Sequence, residues 1–229
     1  MFKEEVVLKT RSKIAWTVEE WFDINVFFEK RHSSVKLFGV GINDIDVKVK
    51  PKDAVSNPVY TKWQRMLERS YCPKYKSKFP TYTNVRVCER WLTFSHFRFD
   101  YLNLINGVDE RKIFILDKDL IVKGNKIYSP DTCCLLPSKI NSFLVSNSTK
   151  RGSLPRGVSK RTKGDKFMVT LSYGGVNKNL GNYSTPEEAF QVYKEAKESA
   201  SKVLALEYEK LLLPNELSAL NNLIVEISD

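Results

Sequence analysis

Long apolar runs are missing from this chain. No stretch approaches the ~18 consecutive apolar residues that a membrane helix requires, and the opening "MFKEEVVLKTRSK" has no continuous apolar segment of the kind that directs secretion. A membrane-spanning or secreted protein is therefore not expected, and the expected setting is the cytoplasm. Histidine is scarce, with only His32 and His96, which leaves little material for histidine-rich metal centres or histidine-based proton transfer. Cysteine is sparse and badly spaced for joint chemistry. Cys72, Cys88, Cys133 and Cys134 contain no C-x-x-C pair, and two of them are adjacent. That argues against a zinc ribbon or a disulfide framework and for reduced, packed thiols.

Negative charge is the other shortage, and it is local. Of 229 residues, 42% are hydrophobic, enough for one large core or two small ones. From Lys48 to Arg98 there are 12 Lys/Arg against 3 Asp/Glu, and from Arg111 to Lys178 there are 14 against 4. From Thr185 onward the balance reverses, 4 against 9. The net charge of +10 is thus concentrated in the middle of the chain, a field suited to a polyphosphate partner.

The periodicity of the chain places its elements. Thr17 stands three residues before Glu20, with Trp16, Trp21 and Phe22 nearby, which predicts a short capped helix. Gly39 and Gly41 in "FGVGIND" mark a turn or a close-packed strand, and without a third glycine they are no nucleotide fingerprint. In "VYTKWQRMLERSY" (59–71), Tyr60, Trp63, Met66, Leu67 and Ser70 or Tyr71 recur at three- and four-residue steps, with Lys62, Arg65 and Arg69 elsewhere on the cylinder. This predicts an amphipathic helix with a basic face. The aromatic residues of "CPKYKSKFPTYTNVRVCERW" and "LTFSHFRFDYLN" are expected to pack a core rather than to stack on bases.

Residues 146–154, "SNSTKRGSL", are polar, small and basic, and are read as a linker between a unit at 59–145 and another at 155–229. Residues 1–58 carry no functional motif. After the linker, "PRGVSKR", "KFMVTLSY" and "VNKNLGNYS" are strand-length runs, the last two joined by Gly174-Gly175 as in a tight hairpin. Phe167, Val169, Leu171 and Tyr173 alternate with Lys166, Met168, Thr170 and Ser172, giving one apolar face and one polar face. Thr185, Pro186, Glu187 and Glu188 are the cap, first position and acidic first turn of a helix expected to reach Leu213, with a short helix beyond Pro214.

"RGVSKR", the "KFMV" strand and "LGNYSTPEEAFQVYKEA" together resemble the three-strand-plus-helix DNA-binding domain of the Apetala and ethylene-response-factor type, also found in phage and mobile-element endonucleases. The resemblance implies a sheet laid in the major groove with a helix behind it. By position, Arg156 and Arg161 become groove or phosphate contacts, Lys166 and Lys178 lie near the backbone, and Lys160 joins the DNA-binding residues. Thr170 and Ser172 project from the polar face, and Asn179 stands where the family carries a tryptophan.

The central segment, about 59–145, resembles the HNH nuclease regions that accompany such domains. The likeness is carried by "W-x-x-M-x-x-R" (63–69), "VCERWLTFSHF" and "LDKD…GN…YSPDTC". It implies a ββα hairpin-and-helix site opening a short helix at Tyr128-Ser129-Pro130, with Cys133 packing that helix. Asp117 matches the metal-binding acid and Asn125 the orienting asparagine; Lys118 falls at the general base and Thr132 near the helix-borne ligand. A lysine between two acids makes a poor base. Three substitutions could restore chemistry: Asp119 as a second metal ligand, Lys118 as an electrostatic stabiliser, or His96 as base.

The expected fold is α+β, a central HNH-like ββα region with flanking helices followed by a three-stranded antiparallel sheet on a long helix. The expected function is a phage- or mobile-element-type DNA-binding protein on a degenerate HNH scaffold, acting on double-stranded DNA in the host cytoplasm or nucleoid. Arg65 and Arg69 join the DNA contacts. One alternative is an active nickase or homing endonuclease using Mg²⁺ or Mn²⁺; another is a factor that binds a host protein. The oligomeric state stays open.

Overall fold

A computed structural model describes residues 7–9, 22, 26–28, 35–45, 57–145, 154–162 and 164–228. The expected helix around Thr17–Glu20, His32 and most of the expected linker (146–153) lie outside these. The architecture mixes helix and sheet, as an α+β fold requires. No helix among the described residues is long and apolar enough to cross a membrane. The chain divides into an N-terminal unit, 1–112 with 122–135, and a C-terminal unit, 113–121 with 136–229.

In the N-terminal unit, β1 (Val7–Lys9) and β2 (Val26–Phe28) pair in parallel. Helix α1 (Pro58–Tyr71) is capped by Asn57, whose Oδ1 accepts the Val59 and Tyr60 amides at 3.0 Å. It buries Tyr60, Trp63, Met66, Leu67 and Ser70, the stripe read from the sequence. Gly41 is required by close approach: a Cβ there would sit 2.4 Å from Leu67. Helix α2 (Pro73–Lys78) and a 3₁₀ turn at Pro80–Tyr82 follow, then β3 (Arg86–Val87) and α3 (Phe94–Ile105). Trp63, Trp91, Phe94, Phe97 and Tyr101 are fully buried and mutually packed, so these aromatics form the core as expected. The indole of Trp63 donates to the Trp91 carbonyl at 2.7 Å and that of Trp91 to Asp100 at 2.8 Å, so neither buried N–H is orphaned.

In the segment from 115 to 136, Ile115–Asp117 and Ile127–Tyr128 do not pair with each other. Between β4 (Ile115–Asp117) and β5 (Ile127–Tyr128) runs an irregular loop, and β5 pairs in parallel with β3, Arg86 facing Ile127 and Val87 facing Tyr128. No helix opens at Tyr128-Ser129-Pro130. One turn closes there, the Cys133 amide donating to the Ser129 carbonyl at 3.0 Å, and the chain continues into β6 (Cys134–Leu136). The cause is composition: Cys133 to Leu136 are all buried, which suits a strand lined on both faces, and Pro137 stops it. The next helix is α4 (Ser138–Leu144).

The C-terminal unit holds an antiparallel sheet in the order β7 (Val158–Lys160), β8 (Phe167–Tyr173), β9 (Val176–Tyr183). Gly174 and Gly175 join β8 to β9 with φ of +59° and +81°, the two positive values of a type I′ hairpin. Helix α5 (Pro186–Glu207) packs on the sheet and begins with a complete Thr185/Glu188 capping box. It ends six residues before the expected Leu213, where Tyr208–Leu212 turns into α6 (Pro214–Asn221). The unit also reaches upstream of the expected 146–154 boundary, because α4 is fastened to it. Arg156 Nη2 donates to the Leu144 and Val145 carbonyls at 2.9 Å, and the buried Lys197 ammonium donates to the Phe143 carbonyl and lies over the Phe143 ring. Cations at a helix C-terminus complement its dipole and its unpaired carbonyls.

Candidate nucleic-acid interface

The geometry of the sheet decides which of its residues meet solvent together. Val158, Val169 and Leu171 are buried on the α5 side. Gly157 lets the helix approach: its φ is +77°, and a Cβ would fall 2.0 Å from the Tyr193 ring of α5. On the open face, residues directly opposite share a side. Ser159 faces Met168, Met168 faces Asn182, Thr170 faces Asn179 and Ser172 faces Asn177. Within the paired strands the open face is therefore a field of hydroxyls and carboxamides around Met168, with Lys166, of the same parity, at its end.

An irregularity between Val169 and Thr170 sets that composition. Before it, Val169 pairs with Gly181; after it, Thr170 pairs with Asn179, so Leu180 is the extra residue of a β-bulge. Gly181, at φ +123°, supplies the backbone freedom, and Asn179 Oδ1 holds the bulge by accepting the Gly181 amide at 2.9 Å. In unbroken register Lys178 would oppose Ser172 on the open face. With the bulge it opposes Leu171 and projects at the rim, and Asn177 takes its place. Lys160 likewise opposes Phe167 on the helix-side parity of the other edge strand. Lys160, Arg161, Lys166 and Lys178 are all exposed, with Lys160 and Arg161 at one edge strand, Lys178 on the other and Lys166 at the end of the central strand. Arg161 and Lys166 are held together by the Arg161 amide, which donates to the Lys166 carbonyl at 3.1 Å.

Arg156 corrects the sequence expectation. Its guanidinium points back to the end of α4 and is structural. Arg69 is half-buried near Tyr128, Tyr82 and Tyr75, whereas Arg65 is exposed. Ser159, Asn177 and Asn182 belong to the open face but were missed. Alternation along β7 could have pointed to Ser159, and only the cross-strand register identifies the two asparagines.

The nuclease-like residues are divided between the units. In the C-terminal unit, Asp117 Oδ1 accepts the amides of Asp119 and Leu120 at 2.9 and 2.8 Å, and the Lys118 ammonium grips the Asp119 carboxylate at 2.6 and 2.7 Å. Lys118 is 5% exposed. Burial raises the Asp117 carboxyl above its usual range, against those two amide hydrogen bonds. In the N-terminal unit, Asn125 and Thr132 come together on one backbone atom: Asn125 Nδ2 at 2.7 Å and Thr132 Oγ1 at 3.0 Å both donate to the Ile127 carbonyl. Asn125 Oδ1 also accepts the Ile127 amide at 3.0 Å. His96 is exposed in the first turn of α3. These polar atoms hold their own loops, and among the described residues no three His, Cys, Asp or Glu converge as metal ligands.

Compared with known proteins, the chain matches no family model, no curated protein and no solved structure.

Proposed function

We propose that this is a DNA-binding protein of the phage or mobile-element kind, in which the β7–β9 sheet contacts double-stranded DNA and the 115–132 segment serves as scaffold rather than as a cleavage site. One observation carries the proposal: a face of hydroxyls and amides flanked by exposed cations and backed by a helix. Three strands spaced ~4.8 Å apart are about 10 Å wide between outer strands, comparable with the ~12 Å major groove. The carboxamides of Asn177 and Asn182 can pair bidentately with an adenine edge, and the hydroxyls of Ser159, Thr170 and Ser172 can donate or accept. Lys160, Arg161, Lys166 and Lys178 are placed to meet phosphates, which position the duplex without reading it. Asn179 Oδ1 already serves the bulge, leaving its amide nitrogen to donate.

The test is a gel-shift titration of the full chain with a mixed-sequence duplex, comparing the parent with Thr170→Glu/Ser172→Glu. Negative charge on the open face should abolish the shift without lowering the melting temperature by more than a few degrees. Unchanged binding by this variant would remove the sheet from the interface. Binding to a host protein instead predicts no salt-sensitive duplex affinity at all.

A further inference from the structure

The aromatics between Pro73 and Asn84 are not core. Neither α2 nor the 3₁₀ turn after it buries a single residue. Tyr75 and Phe79 lie 4.7 Å apart between ring centroids, tilted at 38°, and Tyr82 meets Tyr75 edge-on at 5.5 Å. Phe79 is 39% exposed, and Tyr75 and Tyr82 are half-buried. The rings thus form a small cluster at the surface, away from the Trp63–Phe97 core.

Its surroundings are almost wholly cationic. Between Pro58 and Arg86 stand Lys62, Arg65, Arg69, Lys74, Lys76, Lys78 and Arg86, against Glu68 alone. Arg65, Lys74, Lys78 and Arg86 are exposed. Lys78 Nζ lies 5.4 Å from the Phe79 centroid and Lys76 Nζ 5.9 Å from that of Tyr71. Lys76 also ties α2 to the following turn through the Thr83 carbonyl at 3.0 Å. The cluster is therefore fixed in place. Lys62, Arg65 and Arg69 crowd one side of α1, and the Lys62 ammonium is lowered to about 8, by burial and then by those two arginines. A concentration of positive charge of this kind favours a polyanionic partner.

We infer that Tyr75, Phe79 and Tyr82, flanked by Lys74 and Lys78, form a stacking platform for the unpaired bases of a single-stranded polynucleotide. Exposed rings offer a face to any base, and flanking cations follow the phosphates. A duplex keeps its bases stacked inside and offers the rings nothing, so this surface differs in ligand from the β7–β9 sheet. The inference does not depend on the sheet's function.

Fluorescence anisotropy of the full chain with labelled dT12, rU12, an abasic 12-mer and a duplex tests it. Phe79→Ala should weaken dT12 or rU12 binding by roughly 5- to 150-fold, leave the duplex and abasic affinities unchanged, and be rescued by Phe79→Trp. The dT12 and rU12 arms identify which backbone is preferred. If the parent does not bind single strands more tightly than the abasic oligomer, or if Phe79→Ala weakens all four alike or none, the platform is refuted. Loss of duplex binding alone would bear on the sheet and not on this surface.

Discussion

Gly157→Ala probes the contact that holds the proposed DNA-binding sheet on its helix. At φ +77° an L-residue is in the left-handed region, which costs about 1–2 kcal/mol. The added methyl would lie 2.0 Å from Tyr193 Cδ2 and 2.3 Å from Cε2, so the ring, which is buried, must move. Overpacking of this kind costs about 1–3 kcal/mol. The two effects give about 2–5 kcal/mol, a large share of the 5–15 kcal/mol that stabilises a typical domain. For a unit of this size each kcal/mol shifts Tm by about 4–8 °C, so thermal melting followed by far-UV circular dichroism should show a decrease of at least about 8 °C. The repulsion is specific to the ring, so Gly157→Ala and Tyr193→Ala should be less than additive, with a coupling of about 1–3 kcal/mol. A Tm within 2 °C of the parent, on the order of the error of such melts, or strict additivity of the pair, would refute this account of how the sheet is seated.

Other consequences are as direct. Arg156→Ala removes two charge-assisted hydrogen bonds to the end of α4 and should destabilise by about 1.5–3 kcal/mol while duplex affinity changes less than twofold; a large loss of affinity without loss of stability would return Arg156 to the interface. Lys197 is lowered from its ordinary 10.5 to about 7, by burial and then by Arg156. The unfolded chain then binds more protons between those values, so this group's contribution to stability rises from about pH 7 to 10.5 and is lost as pH falls through 7. Lys197→Met should flatten that part of the urea-denaturation profile, and an unchanged profile would refute it. Supercoiled plasmid incubated with Mg²⁺ or Mn²⁺ should show no nicking that depends on Asp117; nicking abolished by Asp117→Ala would restore the nuclease reading.

What could be read from the sequence was local. The stripe of α1, the Gly174-Gly175 hairpin and the Thr185/Glu188 box each depend on residues within a few positions of one another. What could not be read depends on register and on distant partners. The bulge opposite Val169/Thr170 exchanges Lys178 for Asn177 on the open face, and nothing in the alternation of β8 announces an irregularity in β9. Arg156 was assigned to DNA because its carbonyl acceptors, Leu144 and Val145, lie more than ten residues upstream. The pairing of Ile127–Tyr128 with Arg86–Val87 spans some forty residues, and nothing local to either strand announces it. The exposed Phe79 and the half-buried Tyr75 and Tyr82 run against an expectation of core because ring count along the chain carries no information on depth.

The central claim is that cations at the edges of the β7–β9 sheet meet phosphates of a duplex, and counterion release measures it. Four such contacts contribute about −3.6 to the slope of log K against log salt. Replacing Lys160, Arg161, Lys166 and Lys178 by alanine should therefore flatten the slope by about that amount. An unchanged slope in the fourfold variant would contradict the claim.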